Sequence, residues 1–216
     1  MYLRVRPPIR VLVTGFGPFP GVEQNASASV VRALALSGAL PGIELFAEVI
    51  PVEWTEAQAA ARRAIATARP HAILHFGVAK RATGFEIETR AVNMSGPKQD
   101  RAGVARPGRR LAHSGAPVLQ PALPPAPLLR ALRLAGFPAQ LSRNAGRYLC
   151  NALYYWSLTG AAATGALVSF IHLPAIGIEP APKTCLTLKD AAAGAHVLVR
   201  ACAQAVLCAG RGVIRG

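Results

Sequence analysis

The sequence predicts one three-layer α/β/α domain spanning residues 1–216, with a mixed, largely parallel central sheet. Three observations predict it. Short continuous apolar runs recur at 9–14, 71–78 and 166–173, the pattern of strands buried on both faces. Stretches of helical spacing separate them, and this strand–helix–strand rhythm places helices on both sides of a sheet. The chain is 52% hydrophobic and 16% charged, which excludes disorder and supplies one sizeable core for 216 residues.

Residues 9–14 form the first strand, which Gly15 ends; a Gly/Pro-rich loop, 15–21, follows and is a candidate site. Ser27 or Ser29 is expected to cap the next helix, whose apolar stripe includes Val30, Val31, Leu34 and Leu36. A strand at 43–52 precedes an alanine-rich helix at 55–69, which cannot extend far past Pro70. The third strand is 71–78. The polar, Gly-rich segment 77–115 is expected to wrap around the mouth of the site. Proline density makes 116–127 extended, and 128–134 a helix closed by Gly136. A short strand, 139–142, leads into the turn Asn144-Ala145-Gly146. A helix begins near Cys150, with Leu149, Leu153 and Trp156 on one face. The strand at 166–173 stops at Pro174, and a long helix, 188–208, closes the chain. No internal repeat or linker divides it.

Arg4, Arg6 and Arg10 surround Pro7 and Pro8, without the apolar region of a secretory signal, so a cytoplasmic location is expected. The stretch 150–178 carries no Asp, Glu, Lys or Arg. Gly160, Gly165, His172, Pro174 and Gly177 interrupt it, however, and it reads as core rather than as a membrane span. Cys150, Cys185, Cys202 and Cys208 form no C-x-x-C pair and show no ligand spacing with the histidines, so no metal site and no cofactor are expected. The net charge of +14 raises nucleic acid as a partner. Its arginines are dispersed, and the one cluster, Lys98, Arg101, Arg106, Arg109 and Arg110, has no aromatic residue among its members to stack a base. Compositional bias accounts for the charge, and nucleic acid is not expected as a partner.

A reactive thiol needs a lowered pKa, which a helix N-terminus supplies through its dipole and unpaired N–H groups. Cys150 stands at such a place, although packing in the core there is the alternative. His172 ends a strand, where open α/β sheets gather their catalytic groups. It is the histidine best placed to serve a cysteine as base, with a satisfied core residue as the alternative. His75, inside a strand, reads as core. Glu86 and Glu88 are the only carboxylates between Glu56 and Asp100, in a loop beyond a strand end; either could orient the imidazole, or be a solvated loop carboxylate.

Four segments carry a resemblance. They are Val13-Thr14-Gly15-Phe16-Gly17-Pro18-Phe19 with Asn25-Ala26-Ser27; Gly77-Val78-Ala79 continuing to Glu88 and Ala91-Val92-Asn93; Asn144 to Asn151; and Phe170-Ile171-His172-Leu173-Pro174. In order and spacing the chain resembles the type I pyroglutamyl peptidases, cysteine peptidases that remove an N-terminal pyroglutamate. The resemblance implies Cys150 as nucleophile, His172 as base and Glu88, ahead of Glu86, as the third catalytic residue. It further implies Phe16 and Phe19 as walls of the pyroglutamyl pocket, with Asn25 as a polar neighbour. Aromatic walls suit a small, flat, uncharged lactam. Lys98 lies where many relatives carry an arginine that completes the site, and the two cations are not equivalent donors. Lys80-Arg81-Ala82 replace a usual Gly-Gly-Arg, and Thr89 replaces an arginine; both changes border the site. The implied partners are N-terminally pyroglutamylated peptides and further copies of the chain in a homo-oligomer. Another small amide or lactam is the second substrate reading, and a basic nucleic-acid-binding descendant of an enzyme the third.

Overall fold

Along the chain the elements run β1 (Ile9–Phe16), α1 (Ala26–Leu36), β2 (Ile43–Ile50), α2 (Trp54–Ala68), β3 (Ala72–Ala79), β4 (Phe85–Glu88), β5 (Ala91–Val92), β6 (Val118–Leu119), α3 (Pro125–Leu134), β7 (Ala139–Ser142), α4 (Leu149–Thr164), β8 (Leu167–Pro174) and α5 (Leu188–Gly212). The computed structural model describes residues 7–19, 22–176 and 186–212. Arg4, Arg6, Gly21, Gly177 and Cys185, weighed above, lie outside them.

Six strands form one sheet in the order β2-β1-β3-β8-β4-β7. The first four are mutually parallel, β4 runs antiparallel to β8, and β7 lies parallel to β4 at the edge. This is the mixed, largely parallel sheet that the apolar runs predict. Alternation along each strand feeds two layers. Val11, Val13, Leu74, Phe76 and Ile171 pack with Val30 and Leu34 of α1, Leu128 of α3 and Leu198 of α5. Leu12, Ile73, Val168 and Phe170 pack on the other side with Ala57 of α2 and with Leu153 and Tyr155 of α4.

His75 is a core histidine, as expected. Its Nδ1 meets Thr14 Oγ1 at 2.7 Å and its Nε2 meets Ser157 Oγ at 2.9 Å, both groups being buried. Burial pushes its pKa down to about 3, so the ring stays neutral. Cys202 likewise behaves as a small hydrophobe inside α5, where burial pushes its thiol up to about 12.

Three expectations need correction. The cap of α1 is Asn25 rather than Ser27 or Ser29: Asn25 Oδ1 accepts the Ser27 N–H at 3.1 Å, while Ser27 Oγ accepts the Phe16 N–H at 2.9 Å. The serine is recruited by a strand eleven residues away. Next, α3 begins at Pro125, three residues before the expected start, because a proline at the first helical position loses no hydrogen bond. The 116–127 stretch is therefore partly helical, and it also supplies β6, which pairs with β5. Glu86 and Glu88 lie in a strand rather than a loop, since Phe-Glu-Ile-Glu alternates and buries Phe85 and Ile87 against the core. The stretch from residue 150 divides into α4 and β8, the core helix and strand that were expected. Among the described residues the helix long and apolar enough to cross a bilayer is α5, over Leu188–Ala209. Part of that helix, including Ala191, Ala195, Leu198 and Cys202, lies in the core.

Candidate active site

The carboxyl ends of β3 and β8 meet the first turn of α4: Gly77 pairs with His172, and a Cβ at Gly77 would stand 3.1 Å from Cys150 Sγ. The segment after β5 is hydrogen-bonded to the same turn. Tyr148 is the N-cap residue of α4 and makes no side-chain cap hydrogen bond. The first-turn N–H groups beside Cys150 are thus left for an incoming oxygen. Asn151 anchors this turn: its Oδ1 accepts the Val92 N–H at 2.8 Å, and its Nδ2 donates to the carbonyls of Val92 at 2.8 Å and Met94 at 3.2 Å.

His172 sits in β8 opposite Gly77 of β3 on one side and Glu86 of β4 on the other. Its buried ring packs on Phe170, with centroids 4.9 Å apart. Glu88 Oε1 lies 2.8 Å from His172 Nδ1, both side chains being almost wholly buried. That contact leaves Nε2 as the other ring nitrogen, and Cys150 stands close enough to act on the same imidazole. Burial acts to lower the imidazole pKa, but the nearby Cys150 and the hydrogen-bonded Glu88 outweigh it and raise the value to about 10, which favours the protonated ring. Tyr154, fully buried, donates its hydroxyl to the Glu88 carbonyl at 3.1 Å and fixes the strand behind the carboxylate. Glu86 is instead engaged by Gln140 Nε2 at 2.8 Å. Glu86, Glu88 and His172 present ligand atoms within 4.8 Å of one another, close enough to hold a cation, although the Glu88–His172 bond uses one atom of each partner.

The other residues singled out from the sequence divide by role. Phe16 is buried in the core layer beneath α2 and α4, and Phe19 is partly buried at the margin of that layer, as is Cys150. Asn25 is 4% exposed; its Nδ2 donates to the Gly17 carbonyl at 3.1 Å, and its Oδ1 accepts from Ser27. Its hydrogen bonds shape the loop that carries the two phenylalanines. Lys98 lies between two rings, with Nζ 4.8 Å from the Phe19 centroid and 4.6 Å from that of Tyr148. Burial lowers the Lys98 pKa, the charge of Cys150 opposes this, and Lys80 adds to it, so these three groups share one neighbourhood. Lys80, one of the departures noted above, is thus electrostatically part of the site. The basic cluster is not free of aromatic partners either: Lys98 covers Phe19 and Tyr148, and Arg106 lies 5.6 Å over the Trp54 ring. Those rings come from distant stretches of chain, which the local sequence around the cluster could not reveal.

Within 77–115, residues after β5 lie against the first turn of α4, and buried polar side chains give this segment its shape. Asn93 Oδ1 accepts the N–H groups of Leu111 and Ala112, while its Nδ2 donates to the carbonyls of Ala112 and Gly115. Asp100 Oδ2 accepts the Trp54 N–H at 2.9 Å, and Tyr148 donates its hydroxyl to the Gln99 carbonyl at 3.0 Å. Tyr148 escaped the sequence reading although it lies two residues before Cys150 in the quoted segment. Its partners, Lys98 and Gln99, are about fifty positions away in sequence.

A family model described as pyroglutamyl peptidase matches residues 9–206. The chain belongs to the pyroglutamyl peptidase family. It is 32% identical over 166 residues to the pyrrolidone-carboxylate peptidase of Vibrio vulnificus, which covers 76% of this chain and 78% of that protein. The Pseudomonas fluorescens pyrrolidone-carboxylate peptidase is 28% identical over 197 residues, 90% of this chain and 92% of that one. Among solved structures, pyroglutamyl peptidase I from Bacillus amyloliquefaciens superposes with a TM-score of 0.85 at 26% identity, covering 91% of this chain and 95% of the other. A mutant pyrrolidone carboxyl peptidase from Pyrococcus furiosus gives 0.85 at 25%, covering 91% and 99%. As a pyroglutamyl-peptidase family member, the chain is a cysteine hydrolase with the α/β fold of that family.

Proposed function

We propose that this chain removes an N-terminal pyroglutamyl residue from peptides in the cytoplasm, with Cys150 as nucleophile, His172 as acid and then base, and Glu88 orienting the imidazole. One observation supports the reading: the buried Glu88 carboxylate holds Nδ1 of His172, and Cys150, in the first turn of a helix, stands close enough to act on the same ring. Because the imidazole keeps its proton up to about pH 10, it supplies the counter-charge for a thiolate. The thiolate adds to the pyroglutamyl carbonyl carbon, and the electron pair moves to oxygen, where first-turn N–H groups of α4 receive it. Collapse of this intermediate breaks the C–N bond, and His172 gives its proton to the departing amine. A thioester remains. Neutral His172 then takes a proton from water as the oxygen attacks, and the thiolate leaves. Phe16 and Phe19 are proposed to flank the lactam, with Asn25 supporting their loop and Lys98 beside the reacting sulfur.

The test is turnover of a pyroglutamyl arylamide compared with unmodified aminoacyl arylamides. Release from the pyroglutamyl compound alone is expected; release only from the others would assign a different substrate.

Gly77→Ala probes how tightly the sulfur is held. A Cβ there would stand 2.9 Å from Phe170 Cζ and 3.1 Å from Cys150 Sγ, too close for either to stay in place. Phe170 is fully buried against His172, Tyr154 and His75, so strain passes to the thiol and the imidazole together. Displacing reacting groups by about 1 Å costs roughly 10²-fold in rate. We expect a loss of kcat/KM of that order, with overpacking lowering stability by about 1–3 kcal/mol in urea unfolding.

A further inference from the structure

Behind the catalytic turn lies a second concavity of about 320 Å³, formed where the segment after β4 meets the loop between β7 and α4. Four of its twelve lining residues are arginines: Arg90, Arg110, Arg143 and Arg147. None of the lining residues is acidic, and Cys150, His172, Glu88 and Lys98 are not among them. Compositional bias spreads 24 basic residues along the chain but does not explain why four converge on one hollow.

The geometry points to a binding site for a small multivalent oxyanion of the phosphate class. Two of the guanidiniums are tethered in place. Arg90 Nε donates to the Arg143 carbonyl at 2.8 Å, and Arg110 Nη2 reaches the Gly115 carbonyl at 3.5 Å. Neither contact neutralises charge. Among the described residues the one ion pair is Glu88–His172, so none of the four arginines is matched by a carboxylate. Like charges held together repel, and a bound anion relieves that repulsion while accepting forked hydrogen bonds from planar guanidiniums. The volume lies at the small end of ligand pockets, roughly 300–1,000 Å³, which suits a phosphate or diphosphate group rather than an oligonucleotide. Asn144 and Asn151 belong to the same wall, so the occupant would rest against the backbone that presents Cys150 without entering the catalytic cleft.

Isothermal titration with inorganic phosphate and with pyrophosphate, ionic strength held constant with chloride, tests this. Saturable one-to-one binding is expected, tighter for pyrophosphate. The double variant R143Q/R147Q should weaken it by about tenfold or more, since each charge-assisted hydrogen bond is worth roughly that factor. A control variant, R32Q/R62Q, removes two exposed cations on α1 and α2 that do not line the hollow, and it should bind as the wild type does. Equal weakening in both variants would reduce the effect to diffuse attraction by a basic surface and overturn the site. Absence of saturable binding would do the same, as would loss of binding in K80M/K98M with R143Q/R147Q unaffected, which would move the anion to the catalytic cleft.

Discussion

Cys150→Ser is expected to lower turnover of a pyroglutamyl arylamide by about 10⁴-fold or more, while shifting stability by less than about 1 kcal/mol. The two side chains differ little in volume and Cys150 is only partly buried, so the fold has little reason to respond. The chemistry does. A serine hydroxyl must surrender its proton to a base as it attacks, and wild-type His172 holds a proton of its own up to about pH 10. Because a neutral imidazole is the form that can take the hydroxyl proton, the small residual activity of the variant should rise with pH more steeply than the wild type's. Arylamide turnover between pH 6 and 9, with urea unfolding in parallel, checks both parts. A variant retaining more than about one part in a hundred of wild-type activity would remove Cys150 from the role of nucleophile.

Much of this site was legible in the sequence because its parts sit at element ends that local chemistry defines. Pro174 stops β8 just past His172, and the apolar run before it leaves little choice but a buried strand. Cys150 falls in the first turn of α4 because Asn144-Ala145-Gly146 makes the turn that precedes it, Asn144 Oδ1 accepting the Gly146 N–H at 3.1 Å. Elements whose form depends on distant partners were harder to read. β4 is four residues long and carries two carboxylates, so its propensity is weak, and only pairing with β8 and β7 makes it a strand. The alternation of Phe85 and Ile87 with Glu86 and Glu88 was the available signal. Choosing Glu88 over Glu86 rested on the family resemblance; in the fold, Glu86 stands directly opposite His172 yet turns to Gln140, and Glu88 reaches the ring from two residues farther along. The cap of α1 shows the same limit: Ser27 has the right chemistry for a cap, but a backbone N–H of β1 claims its hydroxyl. Lys98 and Tyr148 meet only because the segment after β5 folds back over α4, a contact that no periodicity encodes.

Glu88→Gln is expected to lower kcat/KM by about 10²- to 10⁴-fold and to move the alkaline limit of activity to lower pH. Gln is nearly isosteric, so the pocket stays filled, but its amide can present N–H to Nδ1 and stabilise the wrong tautomer, the origin of losses of this size in serine triads. The pH argument follows from the balance at His172. Burial alone would hold the imidazole below its ordinary value of 6.5, and the nearby Cys150 and the hydrogen-bonded Glu88 together lift it to about 10. Deleting one of those charges lets burial recover part of its effect, so the cationic ring that protonates the leaving amine is lost at a lower pH. Stability changes in step. A histidine raised on folding contributes stability that is fully present below about pH 6.5 and is lost as pH rises through about 10. The variant should therefore be less stable than the wild type near neutrality, and its deficit should shrink on approach to pH 10. Arylamide pH–rate profiles and urea midpoints between pH 6.5 and 10.5 measure the two effects. An unchanged alkaline limit alongside reduced stability would leave the carboxylate only a packing role, because its hydrogen bond and its charge are what connect it to the proton on His172.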